Sequence, residues 1–337
     1  MMIEEFPIRD LSLQDELASK NIDKFIRIGN ILGIHQKNNS YKYQQVMNGF
    51  DFFQKLADII EHMKKLALIT VVFENYTILD DYFATLAKQT DSAFHVYVVD
   101  LSPKPENYSY PSFVTHVHDK NGGYAYGINR GVKMALADGY ELFCPMNCDV
   151  TVKEDFVEKV KKSIIDHPSS IIGGKIYYYH GYEYHKNRYS KTDLGKVLWY
   201  AGGTTDWNNV YTTHRGVDEV DNGQYDKMES TTFITGCLMA YDKTVVNKIS
   251  LWDEEYFLFY EDADYCARAM KAKIPLLYDP SIIIWHKSGQ STSGAASLFQ
   301  QKYLERNRLK FGLKFAPWKT KFHLIKNYLF GNIRKSS

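Results

Sequence analysis

Residues 143–150 read FCPMNCDV, an apolar run that ends in polar side chains and one carboxylate, Asp149. The overlapping YELFCPMN has the composition of a buried strand, and the KEDFVEKVKKSI that follows has the spacing of a helix. A carboxylate at such a junction either caps the helix or binds a metal ion. The second role requires further ligands, which distant parts of the chain would have to supply.

Strands and helices alternate on the N-terminal side of this stretch. The segments ALITVVF, FHVYVVD and FVTHVH are predicted strands, and YTILDDYFATLAKQ and GGYAYGINRGVKMALAD are predicted helices between them. This order predicts an α/β fold of Rossmann type, with a mostly parallel central sheet flanked by helices. Ligands bind such sheets at the carboxyl ends of the strands, where Asp100, Asp149 and the glycine-rich turn would all lie.

The remainder of the chain predicts three regions. Residues 1–65 have helical spacing and form an N-terminal helical extension. Residues 66–290 form the α/β domain, with further strands at IIGGKIYYY, STTFITGCLMAYD and SIIIWH, the second of them bent at Gly236. Residues 291–337 form a C-terminal segment of two helices.

Composition excludes several classes of protein. The chain has 337 residues with 41 basic and 40 acidic side chains, so its net charge of +1 gives no case for a nucleic-acid partner. Four cysteines without a Cys-x-x-Cys pair indicate reduced residues, as expected in the cytoplasm. No signal peptide and no apolar run of about 20 residues are visible, so we expect a protein that is soluble or bound to a membrane surface.

Two further segments carry candidate chemistry. In EDADYCARAMKAK, Asp262 and Asp264 lie on different sides of the predicted helix, and Arg268 is placed to pair with Asp264. Asp262 lacks such a partner, so it either caps the helix or faces a cleft. In SIIIWHKSG, His286 ends a strand, where an imidazole is either structural or a metal ligand.

Taken in order, several motifs resemble the family 2 glycosyltransferases with a GT-A fold. They are ALITVVFENY, VYVVDLS, DKNGGYAYGINRGV, MNCDV, TGCLMAYDKTVVNKISLWDEEYFLFYEDADYCARA and IIIWHKSG, which together cover about residues 66–310. The chain is most similar to bacterial rhamnosyltransferase-like and galactofuranosyltransferase-like members. The resemblance implies a hexosyltransferase that uses a UDP- or dTDP-linked sugar and a divalent ion, Mn²⁺ or Mg²⁺.

The resemblance also implies roles for individual residues. Those expected to contact the nucleotide sugar are Phe73, Glu74, Asp100, Asn121, Gly122, Gly123, Asn129, Asn147 and Arg306, although Arg306 reads equally as a surface residue. Asp149 and His286 are the implied metal ligands, Asn147 stands where the family's metal motif has its first Asp, and Asp262 is the implied catalytic base. Residues expected near the acceptor are Asp253, Glu254, Trp199 and Gly236.

One catalytic base and a stabilised diphosphate leaving group predict a single displacement that inverts the anomeric carbon. The implied acceptor is a saccharide or a lipid-linked oligosaccharide in cell-surface polysaccharide synthesis. An inactive scaffold that binds saccharide is the first alternative, because Asn147 removes a charge from the metal motif. A sugar nucleotidyltransferase is the second, although FENYTILDDY lacks the glycine-rich triphosphate loop it would need.

The C-terminal LKFGLKFAPWKTKFHLIKNYLFGNIRK mixes basic and aromatic residues, which is typical of helices that lie on anionic membranes. The protein would then work in the cytoplasm, peripherally on the inner face of the cell membrane. The same pattern equally suits a helix that packs on the domain and turns its lysines to water.

Overall fold

The computed structural model describes residues 65–289 and 298–330, all within one compact unit, Asp58–Ser337. The predicted N-terminal extension, residues 1–65, lies outside the described residues except for Lys65. The strands are β1 (Leu66–Val72), β2 (Phe94–Asp100), β3 (Val114–His118), β4 (Leu142–Pro145), β5 (Val150–Val152), β6 (Ile171–Tyr178), β7 (Leu198–Tyr200), β8 (Gly203–Asp206), β9 (Tyr211–His214), β10 (Glu229–Ser230), β11 (Ala240–Asp242) and β12 (Leu276–His286). The helices are α1 (Ile78–Leu86), α2 (Tyr124–Ala137), α3 (Phe156–Asp166), α4 (Lys243–Ile249), α5 (Glu261–Lys271), α6 (Leu298–Phe315) and α7 (Trp318–Phe330).

A ten-stranded sheet forms the centre, in the order β10-β12-β6-β11-β4-β1-β2-β3, with β5 added on β12 and β7 on β6. The pairs β1–β2, β1–β4, β2–β3 and β6–β12 are parallel, whereas β11 runs antiparallel to both β4 and β6. The strands β8 and β9 form a separate hairpin. The predicted α/β fold with a mostly parallel sheet and C-terminal helices is confirmed.

The core has two halves because neighbouring side chains of a strand point to opposite faces of the sheet. Along β1, Leu66 and Leu68 belong to one hydrophobic cluster, and Ala67 and Ile69 belong to the other. Helices α1 and α3 cover the first face, and α2 and α5 cover the second. The result is a three-layer arrangement in which the carboxyl ends of the parallel strands stay open.

The predicted strand 230–242 is wrong, because it is split into β10 and β11 with a turn between them. The turn is closed by a hydrogen bond from the Leu238 amide to the Thr235 carbonyl. Within it, the amide of Gly236 donates to a side chain, the carboxylate of Asp262, at 2.9 Å. A residue that gives its amide to a side chain cannot use it in a strand ladder, which fits the position of Gly236 in the segment 231–239 between β10 and β11.

Among residues 65–289 and 298–330, none of the helices combines the length and the apolar composition that crossing a bilayer requires.

Candidate active site

A cavity of about 970 Å³ opens at the carboxyl ends of the parallel strands. Its floor is formed by the segments that follow β1 to β4, and its walls come from the β8–β9 hairpin, the turn at 235–237, the segment 257–262, the end of β12 and helix α6. Aromatic side chains are prominent among its lining residues: Phe73, Tyr124, Trp199, Tyr211, Phe233, Phe257, Phe259 and Tyr260. The volume and the lining suit a ligand with apolar and polar faces.

Asp149 and His286 meet at the bottom of this cavity. Strand β5 pairs antiparallel with the end of β12 so that Val150 lies opposite His286, and the Lys287 amide donates to the Asp149 carbonyl at 2.8 Å. This pairing holds Asp149 Oδ1 3.2 Å from His286 Nε2. Both residues are buried, and the Trp199 ring packs against the imidazole with centroids 4.6 Å apart.

The pair has the chemistry and spacing of two metal ligands. Donor atoms that bind one cation at about 2.1 Å in adjacent positions lie about 3.0 Å apart, close to the observed separation. Residues 65–289 and 298–330 contain no group of three His, Cys, Asp or Glu side chains with metal-binding geometry. A cation held here would therefore take its remaining ligands from a bound molecule, from water or from the amide of Asn147, which lines the same cavity.

Asp262 lies on another wall of the cavity, in the first turn of α5. Its Oδ2 accepts a hydrogen bond from the Gly236 amide at 2.9 Å, and its Oδ1 accepts one from the Ala263 amide at 2.8 Å. Burial raises the pKa of this carboxyl, and the two amides oppose the rise. A carboxylate with a raised pKa is a stronger base, and the two amides fix its orientation.

The backbone before Asp262 is strained and is held in place by α6. Phe259 and Tyr260 have φ angles of 66° and 71°, a backbone conformation that residues other than glycine rarely adopt. The buried Asn307 donates from Nδ2 to the carbonyls of Leu258 and Phe259 at 2.8 and 3.0 Å. These bonds stabilise the turn that aims the start of α5 into the cavity.

Glu261 also lines the cavity, and the sequence interpretation did not assign it a role. Its side chain is 8% exposed, and its Oε2 has no hydrogen-bond partner among the described residues. Burial, together with the negative charge of Asp262, raises its pKa from 4.5 to about 8. The sequence signal for Glu261 is the adjacent acidic pair in FYEDAD, where it directly precedes Asp262.

Asp264 points away from the cavity, as its helical spacing predicts. Its two oxygens contact Arg268 Nε and Lys314 Nζ, each at 2.6 Å. The expected pairing with Arg268 is therefore present, although Asp264 is fully buried rather than at the surface. Lys314 also bonds to Asp253 at 2.9 Å, which ties α6 to the segment before α5.

The structure brings nine of the predicted site residues to the cavity. They are Phe73, Asn121, Gly123, Asn147, Asp149, Trp199, Gly236, Asp262 and His286. Seven others are absent from the cavity lining: Glu74, Asp100, Gly122, Asn129, Asp253, Glu254 and Arg306.

Local hydrogen bonds account for several of these absences. The carboxylate of Asp100 is fully buried and accepts from the Tyr76 hydroxyl at 2.5 Å and the Ser102 amide at 2.9 Å. Asn129 donates to Glu254 Oε1 at 2.8 Å, and both thereby hold the segment before α5.

On α6, Arg306 is exposed, and the cavity is lined instead by Arg308 two residues later. The Arg308 guanidinium donates to the Asn209 carbonyl and stacks 4.2 Å above the Tyr211 ring. The β8–β9 hairpin thus forms a cavity wall that α6 holds in place. It also contributes His214, whose pKa burial lowers to about 4, so its ring is neutral near pH 7.

Residues 67–250, more than half of the chain, match the sequence model of the family described as Glycosyl transferase family 2. The chain therefore belongs to glycosyltransferase family 2, and the predicted enzyme class is confirmed. A comparison with curated proteins found no match.

Solved structures are similar in fold. One is the crystal structure of GalNAc-T7 with UDP, GalNAc and Mn²⁺, with a TM-score of 0.52 and 11% sequence identity. The match covers 72% of this chain and 48% of that one, so this chain spans about half the length of the protein it resembles. At this identity the likeness shows the GT-A fold alone.

Proposed function

We propose that the protein is an inverting, metal-dependent glycosyltransferase that moves a hexose from a UDP- or dTDP-sugar to a saccharide or lipid-linked acceptor. The observation that carries this proposal is the convergence of Asp149, His286 and Asp262 on one cavity at the carboxyl ends of the strands. The three residues lie far apart in the sequence. They would supply the two functions that glycosyl transfer needs, a cation site for the diphosphate and a base for the acceptor.

Asp262 is the proposed base. It takes the proton of the acceptor hydroxyl while that oxygen attacks the anomeric carbon and the bond to the diphosphate breaks. Asp149 and His286 would hold a divalent cation, which neutralises negative charge on the departing diphosphate when bound. Because Asp262 acts as a base and no other carboxylate is assigned as nucleophile, one displacement is expected, with inversion at the anomeric carbon.

The choice of transferred sugar and of pathway is based on the sequence motifs. We propose rhamnose, galactofuranose or another hexose as the transferred sugar, and cell-surface polysaccharide synthesis as the pathway. UDP with Mn²⁺ is the first pair to test, since GalNAc-T7 was crystallised with both. The aromatic lining of the cavity supports a saccharide acceptor, because sugar rings stack on aromatic faces.

Substitution of the base separates chemistry from donor binding. We expect Asp262→Asn to lower kcat by about 10²–10⁴-fold while UDP still protects the variant against thermal unfolding. Asp166→Asn, an exposed carboxylate on α3 that pairs with Lys162, is the control and should behave as wild type. Turnover of Asp262→Asn within tenfold of wild type would remove this residue from the role. Donor binding without transfer to any acceptor, in wild type, would favour the inactive scaffold.

We further propose that α7 rests on an anionic membrane surface. Its inner face packs on α6, where Leu324 contacts Gly312 so closely that a side chain on Gly312 would collide with it. The adjoining face carries the α7 stripe, four exposed apolar residues at helical spacing: Trp318, Phe322, Ile325 and Tyr328. Lysines 319, 321 and 326 flank this stripe.

This arrangement favours a lipid surface over a helix that turns only lysines to water. Each exposed aromatic that enters the interface contributes about 1–2 kcal/mol by buried area, and each lysine adds about 1 kcal/mol near anionic lipid. We expect co-sedimentation with phosphatidylglycerol vesicles, weaker binding to phosphatidylcholine, and loss of binding in Trp318→Ser/Phe322→Ser. Unchanged sedimentation of that variant would refute the proposal, and a change in its oligomeric state would indicate that a second copy covers the stripe.

A further inference from the structure

Two carboxyl groups adjacent in sequence, Glu261 and Asp262, line the same cavity. Their surroundings differ sharply. Asp262 accepts two backbone hydrogen bonds, from Gly236 and Ala263, which favour its charged form. Glu261 is buried with an Oε2 that has no hydrogen-bond partner, and it forms no ion pair among the described residues. An ionised Glu261 would be buried next to a second negative charge, and only a hydrogen bond from its own backbone amide would favour the charged form.

No charged side chain that lines the cavity forms an ion pair with Glu261 among the described residues. The other charged or titratable residues that line the cavity come from every wall: Tyr124 of α2, Cys148 and Asp149 before β5, Tyr211 and His214 of β9, Cys237 of the turn, Tyr260 before α5, His286 of β12, and Glu305 and Arg308 of α6. Arg308 is the one Arg or Lys among them, and its guanidinium is bonded to the Asn209 carbonyl. His214 is neutral near pH 7 because burial lowers its pKa to about 4.

We propose that Glu261 remains protonated through turnover and donates a hydrogen bond to a hydroxyl of the acceptor saccharide while Asp262 acts as base. This inference rests on the proposed function and adds a second residue to it. A buried neutral carboxylic acid is a strong donor, and sugar hydroxyls are the acceptors that an enzyme of this class brings into such a cavity.

The proton balance of the step is simple. The acceptor O–H bond breaks and its proton moves to Asp262, the new bond between that oxygen and the anomeric carbon forms, and the electron pair of the old bond leaves with the diphosphate. The proton of Glu261 is not transferred. Its hydrogen bond positions the attacking sugar, and its neutrality keeps a second negative charge away from Asp262.

The test compares a variant that keeps a neutral donor with one that removes it. Glu261→Gln retains an N–H donor in nearly the same place, whereas Glu261→Ala leaves none. We expect Glu261→Ala to lower kcat/KM for the acceptor by about tenfold or more, and Glu261→Gln to recover at least about half of that loss on a logarithmic scale. Equal losses in both variants would overturn the proposal, because they would mean that the carboxylate itself is needed.

The pH profile gives a readout that a merely structural role would not change. Wild-type activity should fall as the pH rises through about 8, where Glu261 ionises, and this alkaline limb should be missing in Glu261→Gln. An identical alkaline limb in both proteins would contradict the assignment.

The pH dependence of stability reports on the protonation of Glu261 even if no sugar transfer is found. Because the pKa of Glu261 is higher in the folded than in the unfolded chain, the folded state binds the proton more tightly. Wild-type stability should therefore decline as pH rises from about 4.5 to about 8, and the decline should be shallower in Glu261→Gln. Equal slopes would show that Glu261 is not protonated in the folded protein. If no transfer is found but the slope is shallower in Glu261→Gln, the proposed function is refuted, whereas the protonation of Glu261 in the folded protein is supported.

Discussion

Replacement of Gly123 by alanine tests how the glycine-rich turn is coupled to the proposed base. Gly123 precedes α2 at φ 91° and ψ 175°, a combination that is essentially restricted to glycine. An alanine Cβ there would lie 2.2 Å from the carbonyl oxygen of Phe257 and 2.7 Å from its Cα. Ordinary contact begins near 3.4 Å, so the turn and the segment 257–262 must separate by about 1 Å.

Three costs add in Gly123→Ala. The backbone conformation costs about 1–2 kcal/mol. The hydrogen bond from the Tyr124 amide to the Phe257 carbonyl, now 3.1 Å, is worth about 1 kcal/mol, and the forced separation of packed segments costs about 1–3 kcal/mol. We expect the free energy of unfolding to fall by about 3–6 kcal/mol in total. Because the displaced segment leads directly into Asp262, kcat should also fall by about 10²-fold.

Gly181→Ala is the matched control. Gly181 has nearly the same φ, 87°, but nothing lies within 4 Å of the added Cβ. The free energy of unfolding of this variant should fall only by the cost of the backbone conformation, about 1–2 kcal/mol, and its kcat should not change. The measurements are urea unfolding and sugar transfer on all three proteins. If Gly123→Ala matches Gly181→Ala in both stability and turnover, the close approach does not position the base and the reasoning fails.

Three further outcomes are expected. Chelation should stop sugar transfer by the wild-type protein, and added Mn²⁺ should restore it. Asp149→Ala and His286→Ala should each need at least about tenfold more Mn²⁺ for half-maximal activity. Full wild-type activity in chelator would exclude the metal role. Asn307→Ala should lower the free energy of unfolding by about 2–3 kcal/mol, because two carbonyls of the strained turn lose their hydrogen-bond donor. It should also reduce kcat more than the affinity for the nucleotide sugar; a drop in stability alone would limit Asn307 to a structural role. Since burial lowers the pKa of His214 to about 4, the unfolded chain binds its proton more readily, and stability should fall as pH drops from about 6.5 to 4; His214→Phe should flatten that slope.

Much of the architecture was predictable from short-range patterns. β-branched apolar runs separated by amphipathic helices predict a parallel sheet, and strands β1, β2 and β3 lie within a residue of their predicted bounds. Asp149 and His286 were identifiable because each ends an apolar run, where side chains of parallel strands reach the ligand face. The short distance between these two residues could not be predicted from the sequence, because it depends on the pairing of β5 with β12.

Other features depend on partners remote in sequence. The segment 230–242 has the composition of a strand, yet only its two ends belong to β10 and β11, and Gly236 between them gives its amide to Asp262. Asp100 has the sequence context of a ligand-binding carboxylate, but Tyr76 and Ser102 occupy its oxygens. Hydrogen-bond partners of this kind leave no periodic signal in the sequence.

The sequence by itself determined the class of fold, the family and the places where strands end in polar residues, because those depend on residue order and on periodic burial. Only the tertiary structure decided which of those residues share a cavity, that α6 holds the turn before α5 through Asn307, and that Glu261 is buried beside Asp262. The reason is physical: the protonation and orientation of a side chain depend on the groups that surround it in space, and those groups come from parts of the chain more than a hundred residues apart.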